Sequence, residues 1–445
     1  MCAPLRHSHR ALPCLVLAVA RLSHDAGAAA ASLGPGRTCV EPGVLAHDAS
    51  DGQAMAMLQV LAGRGAILDQ GAGPSQTRST RIEGALTLDH FARGANVGCF
   101  DRATRSQTAV VDSHLHPRPF GGPPVPFEDL MGWLRRAGVL FANLYGIGQR
   151  LPTDSNCTYY LDCPGTPVKP SIKNDFVNAE SLLDANASLS TNLGPHVILS
   201  ISSADLNHPE KIVPRVKLLR SEYPHMFKWV GELNAVKQAL FDNNAGFPVT
   251  PDEVAGWAPF MKVLAEHQIP IGFHSDLGSD EEPLKYLSVM DTILRTYPNN
   301  QIVWLHLGGL SKQLNPRAPT KPSLVEKPLF APQHVALLRE RLLEHANLTI
   351  DLAWDVLYDE VFSDPIKRPI YVDLINAFPR RFLTGTDFVA AGVKTEAEYR
   401  EQLSKCSDVL RDLSDEAFQR IALGQNYFDL VGLDYVAPAV CAGYK

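Results

Sequence analysis

Five short apolar segments of this chain end in side chains that bind metals or carry protons. VVDSHLH ends in His114 and His116, WVGE in Glu232, IGFH in His274, VWLH in His306 and LTGTD in Asp387. Side chains alternate between the two faces of an extended strand, so His114 and His116 point the same way. Neutral imidazoles and carboxylates are the donors that zinc and similar divalent ions accept. Taken singly, each residue reads as a packed core histidine, an ion-pair partner or a turn cap. Five strands that each deliver a ligand-type group to the same end read as one centre. It is suited to one or two divalent ions, zinc foremost, and to a small-molecule substrate.

The elements that must position these groups recur regularly after about residue 106. Eight apolar runs read as strands: 109–116, 139–145, 196–202, 228–234, 269–275, 301–307, 347–353 and 381–387. Several are nearly unbroken Val, Ile, Leu and Phe, as expected when both faces of a parallel sheet are buried. Between them lie segments of helical period, among them PFEDLMGWLRRAG, PEKIVPRVKLLRSEYP, TPDEVAGWAPFMKVLAEH, EPLKYLSVMDTILRTYP and APQHVALLRERLLEHA. Thr250 followed by Pro251 makes a good N-cap and first helical position, and Gly138 a good stop. Strands alternating with helices eight times predict an α/β chain folded as a (β/α)₈ TIM barrel over residues 106–445, with an open doubly wound sheet as the alternative. No glycine-rich phosphate loop follows the first strand. The active site of such a barrel lies at the C-terminal ends of its strands. The long connection from Gly146 to Pro195, which follows the second strand, is therefore expected to cover the mouth.

Residues 1–105 are rich in Ala, Gly and Arg and read as an irregular N-terminal extension, with a helix pattern only around MAMLQVLAG. Arg6 and Arg10 precede ALPCLVLAVA and then AGAAAAS, the order of a secretory signal. The chain is periplasmic or secreted if that signal works and cytoplasmic otherwise. Of its 8 cysteines, Cys157 and Cys163 flank a short loop and read either as two unpaired loop thiols or as a disulfide in an oxidising compartment. The absence of any CxxC pair argues against a zinc ribbon. A net charge of −7 disfavours a nucleic-acid partner, which needs clustered Lys and Arg. No apolar run reaches the roughly 20 residues that cross a bilayer, so no membrane partner is expected. A homo-oligomer is compatible with the sequence.

The paired histidines of strand one, the LHLGG segment at 305–309, LTGTDFV at 383–389 and the late IALGQNYFDLVGL at 421–433 together resemble the amidohydrolase superfamily. The likeness is to its amidohydrolase-related branch of metal-dependent hydrolases and aminocarboxymuconate-semialdehyde decarboxylase-like enzymes. It spans about residues 109–433. In binuclear relatives a carboxylated lysine often stands on strand four. Here Glu232 takes the strand end, more like the VGE segment of TatD-type members, and Lys228 lies four residues back, roughly 13 Å down the barrel. The resemblance implies a metal-activated water that attacks an amide, lactone or ester. His114, His116, Glu232, His274 and Asp387 would be the ligands, with Asp387 as proton acceptor and His306 as second-metal ligand or oxyanion stabiliser. Arg118 would clamp a substrate carboxylate and Trp354 would line the pocket, with Asp355 and Tyr358 nearby. A non-oxidative decarboxylase on the same centre and a catalytically inactive binding protein are the other functions compatible with these residues.

Overall fold

The computed structural model describes residues 81–95, 97–104, 109–119, 122–147, 149–152, 154, 156–157, 163–188, 194–243, 245–279, 282–310, 314–315 and 329–442. All lie within the compact unit Ser75–Lys445. The signal-like stretch and the MAMLQVLAG helix pattern lie outside the described residues.

All eight expected strands form, and they run parallel. In chain order they are Val111–His116, Phe141–Tyr145, His196–Ile201, Phe227–Val236, Ile271–Ser275, Ile302–Trp304, Leu348–Asp351 and an eighth split into Phe382–Leu383 and Phe388–Val389. The split strand closes the ring. Its first half pairs with strand seven, Ile350 opposite Phe382, and its second half with strand one, Leu115 opposite Phe388. The nitrogen of Ser113 donates to the Thr384 carbonyl (3.0 Å) and that of Asp387 to the His114 carbonyl (2.7 Å), so strand one follows strand eight across the gap. The sheet is thus a closed (β/α)₈ barrel with no open edge.

The helices form where the period predicts. Phe127–Ala137 buries Leu130, Met131 and Leu134 and stops at Gly138, whose φ of 78° suits glycine. Thr250 caps Pro251–Ala255 in a reciprocal pair with Glu253. The segment expected as one helix from there to 267 is two: the first ends at Gly256, and Pro259, which has no N–H to continue it, stands in the first turn of the second, Ala258–Glu266. Strand six is also shorter than expected. After Trp304 the backbone turns left-handed, with φ of 56° at His306 and 53° at Leu307. The Asp351 carboxylate accepts from the His306 nitrogen at 2.6 Å and holds that turn.

Part of the stretch read as extension packs on the barrel. Ile82, Phe91 and Phe100 are buried in the main core. Phe91 meets Phe141, the first residue of strand two, edge-to-face at 5.2 Å, so residues 81–104 seal the floor of the barrel. A disulfide ties Cys99 to Cys441, and a second joins Cys157 to Cys163, so these two are not unpaired loop thiols.

The connection after strand two divides into two parts. Ile172–Ser188 is the barrel's own second helix, packed on the first. The stretch before it is a strap. Gln149–Arg150 pairs antiparallel with Lys169–Pro170, and Ile147, Leu151 and Val168 form a small separate core with Leu240, against which Val389 packs. Leu240 follows strand four and Val389 ends strand eight, which are opposite each other in an eight-stranded ring, so the described residues of the strap bridge these two sides. Asn243 fastens it by donating to the carbonyls of Cys163 and Thr166, both at 3.0 Å. Among the described residues no helix is long and apolar enough to span a membrane.

Candidate metal centre

At the C-terminal end of the barrel the structure gathers the expected groups into two adjoining sets. The first is His114, His116 and Asp387. The Nε2 atoms of the two histidines lie 3.2 Å apart, and Asp387 Oδ1 lies 3.4 Å from the first and 3.0 Å from the second. Glu232 Oε2 stands 3.4 Å from His116 Nε2 and 3.9 Å from His114 Nε2. Four donors at 2.0–2.1 Å from a tetrahedral ion are separated by about 3.3 Å. This set therefore has the dimensions of a ligand shell, made of the nitrogen and oxygen donors that such ions prefer.

The histidines are also oriented for it. His114 Nδ1 is 2.7 Å from Asp351 Oδ2, His116 Nδ1 is 2.9 Å from the Tyr145 carbonyl, and His306 Nδ1 is 2.9 Å from the Ala353 carbonyl. An oxygen acceptor at Nδ1 puts the imidazole proton there and leaves the Nε2 lone pair for a cation. Asp351 thus orients His114 and, through the His306 nitrogen, strand six as well. Sequence reasoning missed Asp351 because it inspected only the last residues of each strand. It is the sole carboxylate of segment 347–353.

The second set is Glu232, His274 and His306. His274 was expected to converge with the strand-one pair and Asp387. It is instead set beside Glu232, with Nδ1 2.6 Å from Oε1, and its Nε2 is 3.0 Å from Asp276 Oδ1. The reason is register: Asn234 of strand four lies opposite His274, which carries the ring past the strand-one pair toward the Glu232 carboxylate. Lys237, one residue beyond strand four, reaches the same Oε1 with its Nζ at 2.7 Å. Lys237 and Asp276 lie beyond the apolar runs 228–234 and 269–275, so the ends of those runs do not point to them.

Buried charges dominate the electrostatics. Burial lowers the pKa of His116, but hydrogen bonds and charge from Asp387 and Glu232 outweigh it and hold the imidazole up at about 9. Burial lowers His306 too, and Glu232, Asp387 and Asp351 lift it to about 9. Burial raises Glu232, yet Lys237 and His274, with hydrogen bonds from His116 and His274, hold it well below the usual carboxylate range. Asp387 is likewise held low against its burial, by charge on His114 and His306 and the hydrogen bond from His116. A cluster so rich in carboxylate requires cations, either protons on imidazole or a metal.

Backbone constraints support the arrangement. Asp387 has φ of 57° and Trp354 137°, conformations that cost non-glycine residues about 1–3 kcal/mol each. Asp112, at 0% exposure, restrains the Asp387 turn by accepting from the Thr386 nitrogen (2.9 Å), Thr386 Oγ1 (2.8 Å) and Tyr399 Oη (3.1 Å). The Trp354 ring lies 5.6 Å from the His306 ring, centroid to centroid. Arg118 is occupied elsewhere: its guanidinium donates to Asn178 (2.7 Å) and Ser181 (2.8 Å) of the second helix. Lys228 lies near His196 at the start of strand three, and that histidine's pKa is lowered first by burial and then by the Lys228 charge.

No protein-family model matches the chain, and no curated protein does either. Among solved structures, the dihydroorotase of Campylobacter jejuni is 13% identical over 74% of this chain and 84% of its own, with a TM-score of 0.42. A TatD family hydrolase from Entamoeba histolytica is 11% identical over 73% of this chain and 96% of its own, with a TM-score of 0.38. Amidohydrolase 2 of Bifidobacterium longum subsp. infantis is 15% identical over 73% and 98%, with a TM-score of 0.34. Likenesses this remote leave the function to be argued from the chain's own site.

Proposed function

We propose that the protein is a metal-dependent hydrolase that cleaves an amide, lactone or ester bond of a small molecule. The observation that carries this reading is the set of His114 Nε2, His116 Nε2 and Asp387 Oδ1 at mutual separations of 3.2, 3.4 and 3.0 Å, the edge lengths of a tetrahedral shell. These three residues would hold the ion with Glu232 Oε2 as a fourth donor, and zinc suits such a nitrogen and oxygen set. When bound there, a divalent ion polarises a carbonyl and makes water nucleophilic near neutral pH.

The chain's own residues handle the proton. Asp387 is ionised at neutral pH, since its pKa is held far down. Its side chain is 16% exposed, against 7% for Glu232, 2% for Asp351 and 9% for Asp276, so it is the site carboxylate most open to a substrate. Asp387 accepts the proton of the attacking water and returns it to the leaving group. His306, which faces the same space, stabilises negative charge developing on the carbonyl oxygen. Trp354 and the described strap residues Ile147, Leu151 and Val168 exclude bulk water and shape the pocket.

The test is metal content together with product analysis. Purified protein reconstituted with zinc should retain metal through desalting and turn over members of an amide, lactone and ester panel. His114→Ala and Asp387→Ala should lose both metal and turnover. A folded wild-type chain that retains no divalent ion after loading with zinc, manganese or cobalt would overturn the proposal. Carbon dioxide release without water uptake would replace it with the decarboxylase.

A further inference from the structure

Resting on the metal reading above, we infer that Lys237 serves as the permanent second cation of the centre, so that the protein holds one metal ion at His114, His116 and Asp387 while the Glu232, His274 and His306 set takes none. Glu232 has one oxygen for each set. Oε2 faces the strand-one histidines, at 3.4 Å from His116 Nε2. Oε1 receives Lys237 Nζ at 2.7 Å and His274 Nδ1 at 2.6 Å. A second ion would have to bind this same oxygen, at about 2.0–2.2 Å. It would then stand within a few ångströms of an ammonium that is only 13% exposed. Like charges that close, shielded from water, repel strongly.

The set is also closed at its other corner. His274 is held by a carboxylate at each nitrogen, Glu232 Oε1 at 2.6 Å and Asp276 Oδ1 at 3.0 Å, so an incoming ion must replace the proton His274 shares with one of them, an exchange that the Lys237 charge beside Oε1 opposes. Asp276 is fastened in turn: its Oδ2 accepts from the Gln238 nitrogen at 2.8 Å. The loop that carries Lys237 is therefore latched to the carboxylate that holds His274. The Lys237 nitrogen donates to the Gly246 carbonyl at 3.0 Å. Gly246 has φ of 66°, and a Cβ there would come within 2.6 Å of the Lys237 carbonyl, so the turn that aims the lysine requires glycine.

The experiment counts metal in the full-length protein. Wild type, Lys237→Met and Lys237→Arg are stripped with chelator, loaded with excess zinc, desalted and analysed by mass spectrometry, with the stoichiometry repeated by calorimetric zinc titration. Wild type and Lys237→Arg should hold one ion. Lys237→Met, which keeps the length of the side chain and removes its charge, should hold two, its second site tightened by about 100-fold or more through loss of the repulsion. If Lys237→Met does not fold, as judged by thermal melting, Lys237→Gln carries the same expectation. Two ions in wild type, or one in the uncharged variant, overturns the role of Lys237 and leaves the hydrolase reading standing. No ion in folded wild type overturns both.

Discussion

Replacing Asp351 by Asn tests whether the centre depends on the proton positions inferred for its histidines. Asp351 is 1% exposed, and both of its oxygens are engaged. Oδ2 accepts from His114 Nδ1 at 2.7 Å and Oδ1 from the His306 nitrogen at 2.6 Å. In Asp351→Asn the amide oxygen can still accept from His306, which leaves the amide NH₂ against His114 Nδ1. A donor there draws the imidazole proton to Nε2, the atom aimed at Asp387 and His116, and masks the lone pair the ion needs. Loss of such an orienting partner costs roughly 10- to 100-fold in metal affinity, or about 1.4–2.7 kcal/mol. Stability of the metal-free chain should fall by only about 1–2 kcal/mol, since one charge-assisted hydrogen bond is lost while shape and volume are kept. Competition against a chromogenic zinc chelator gives the affinity, and urea unfolding gives the stability. Unchanged zinc affinity in a folded Asp351→Asn protein would refute the assignment of His114 Nε2 as the donor atom.

Other consequences follow from the same geometry. His116 and His306 have pKa values raised to about 9 from 6.5, so their contribution to metal-free stability is complete below pH 6.5 and lost as pH rises through 9. Urea midpoints of the metal-free protein should therefore decline over that range while zinc affinity rises, because ligands must lose their protons; a flat zinc affinity would contradict this. Gly309→Ala should destabilise by about 3 kcal/mol or more, since its Cβ would come within 1.9 Å of the Ser275 carbonyl at φ of 70°, and near-normal stability would show that the turn after strand six can rearrange. Asn243→Ala frees the strap from two hydrogen bonds and should raise KM or alter substrate preference with the barrel intact; unaltered kinetics would make the strap ornamental. Removing the Cys99–Cys441 bridge by Cys99→Ala should cost about 2–5 kcal/mol in thermal or urea unfolding, because the bridge closes a loop with a sequence separation of 342, and a smaller loss would mean that the floor packing of Phe91 and Phe100 suffices.

The sequence by itself determined the barrel and most of the ligand-type groups. Buried parallel strands must be continuously apolar, and helices that cover them must be amphipathic, so eight repeats of that alternation are visible without coordinates. His114, His116, Glu232, His274, His306 and Asp387 stand out because a charged or imidazole side chain at the end of an apolar run has few other reasons to be there. What only the tertiary structure decided is which of these groups face one another. His274 goes to Glu232 because strand register sets it opposite Asn234, and register depends on hydrogen bonds between segments some 40 residues apart. Asp351 reaches His114 across 237 residues of sequence, and no local pattern encodes that contact. Arg118 turned to Asn178 and Ser181 because the second helix offered it oxygen acceptors within reach. Residues 81–104 show no period because three aromatic and aliphatic anchors, Ile82, Phe91 and Phe100, suffice to seal a barrel floor. Periodicity records how an element meets its surroundings on average. The pairing of individual charges is decided by distances that exist only once the ring has closed.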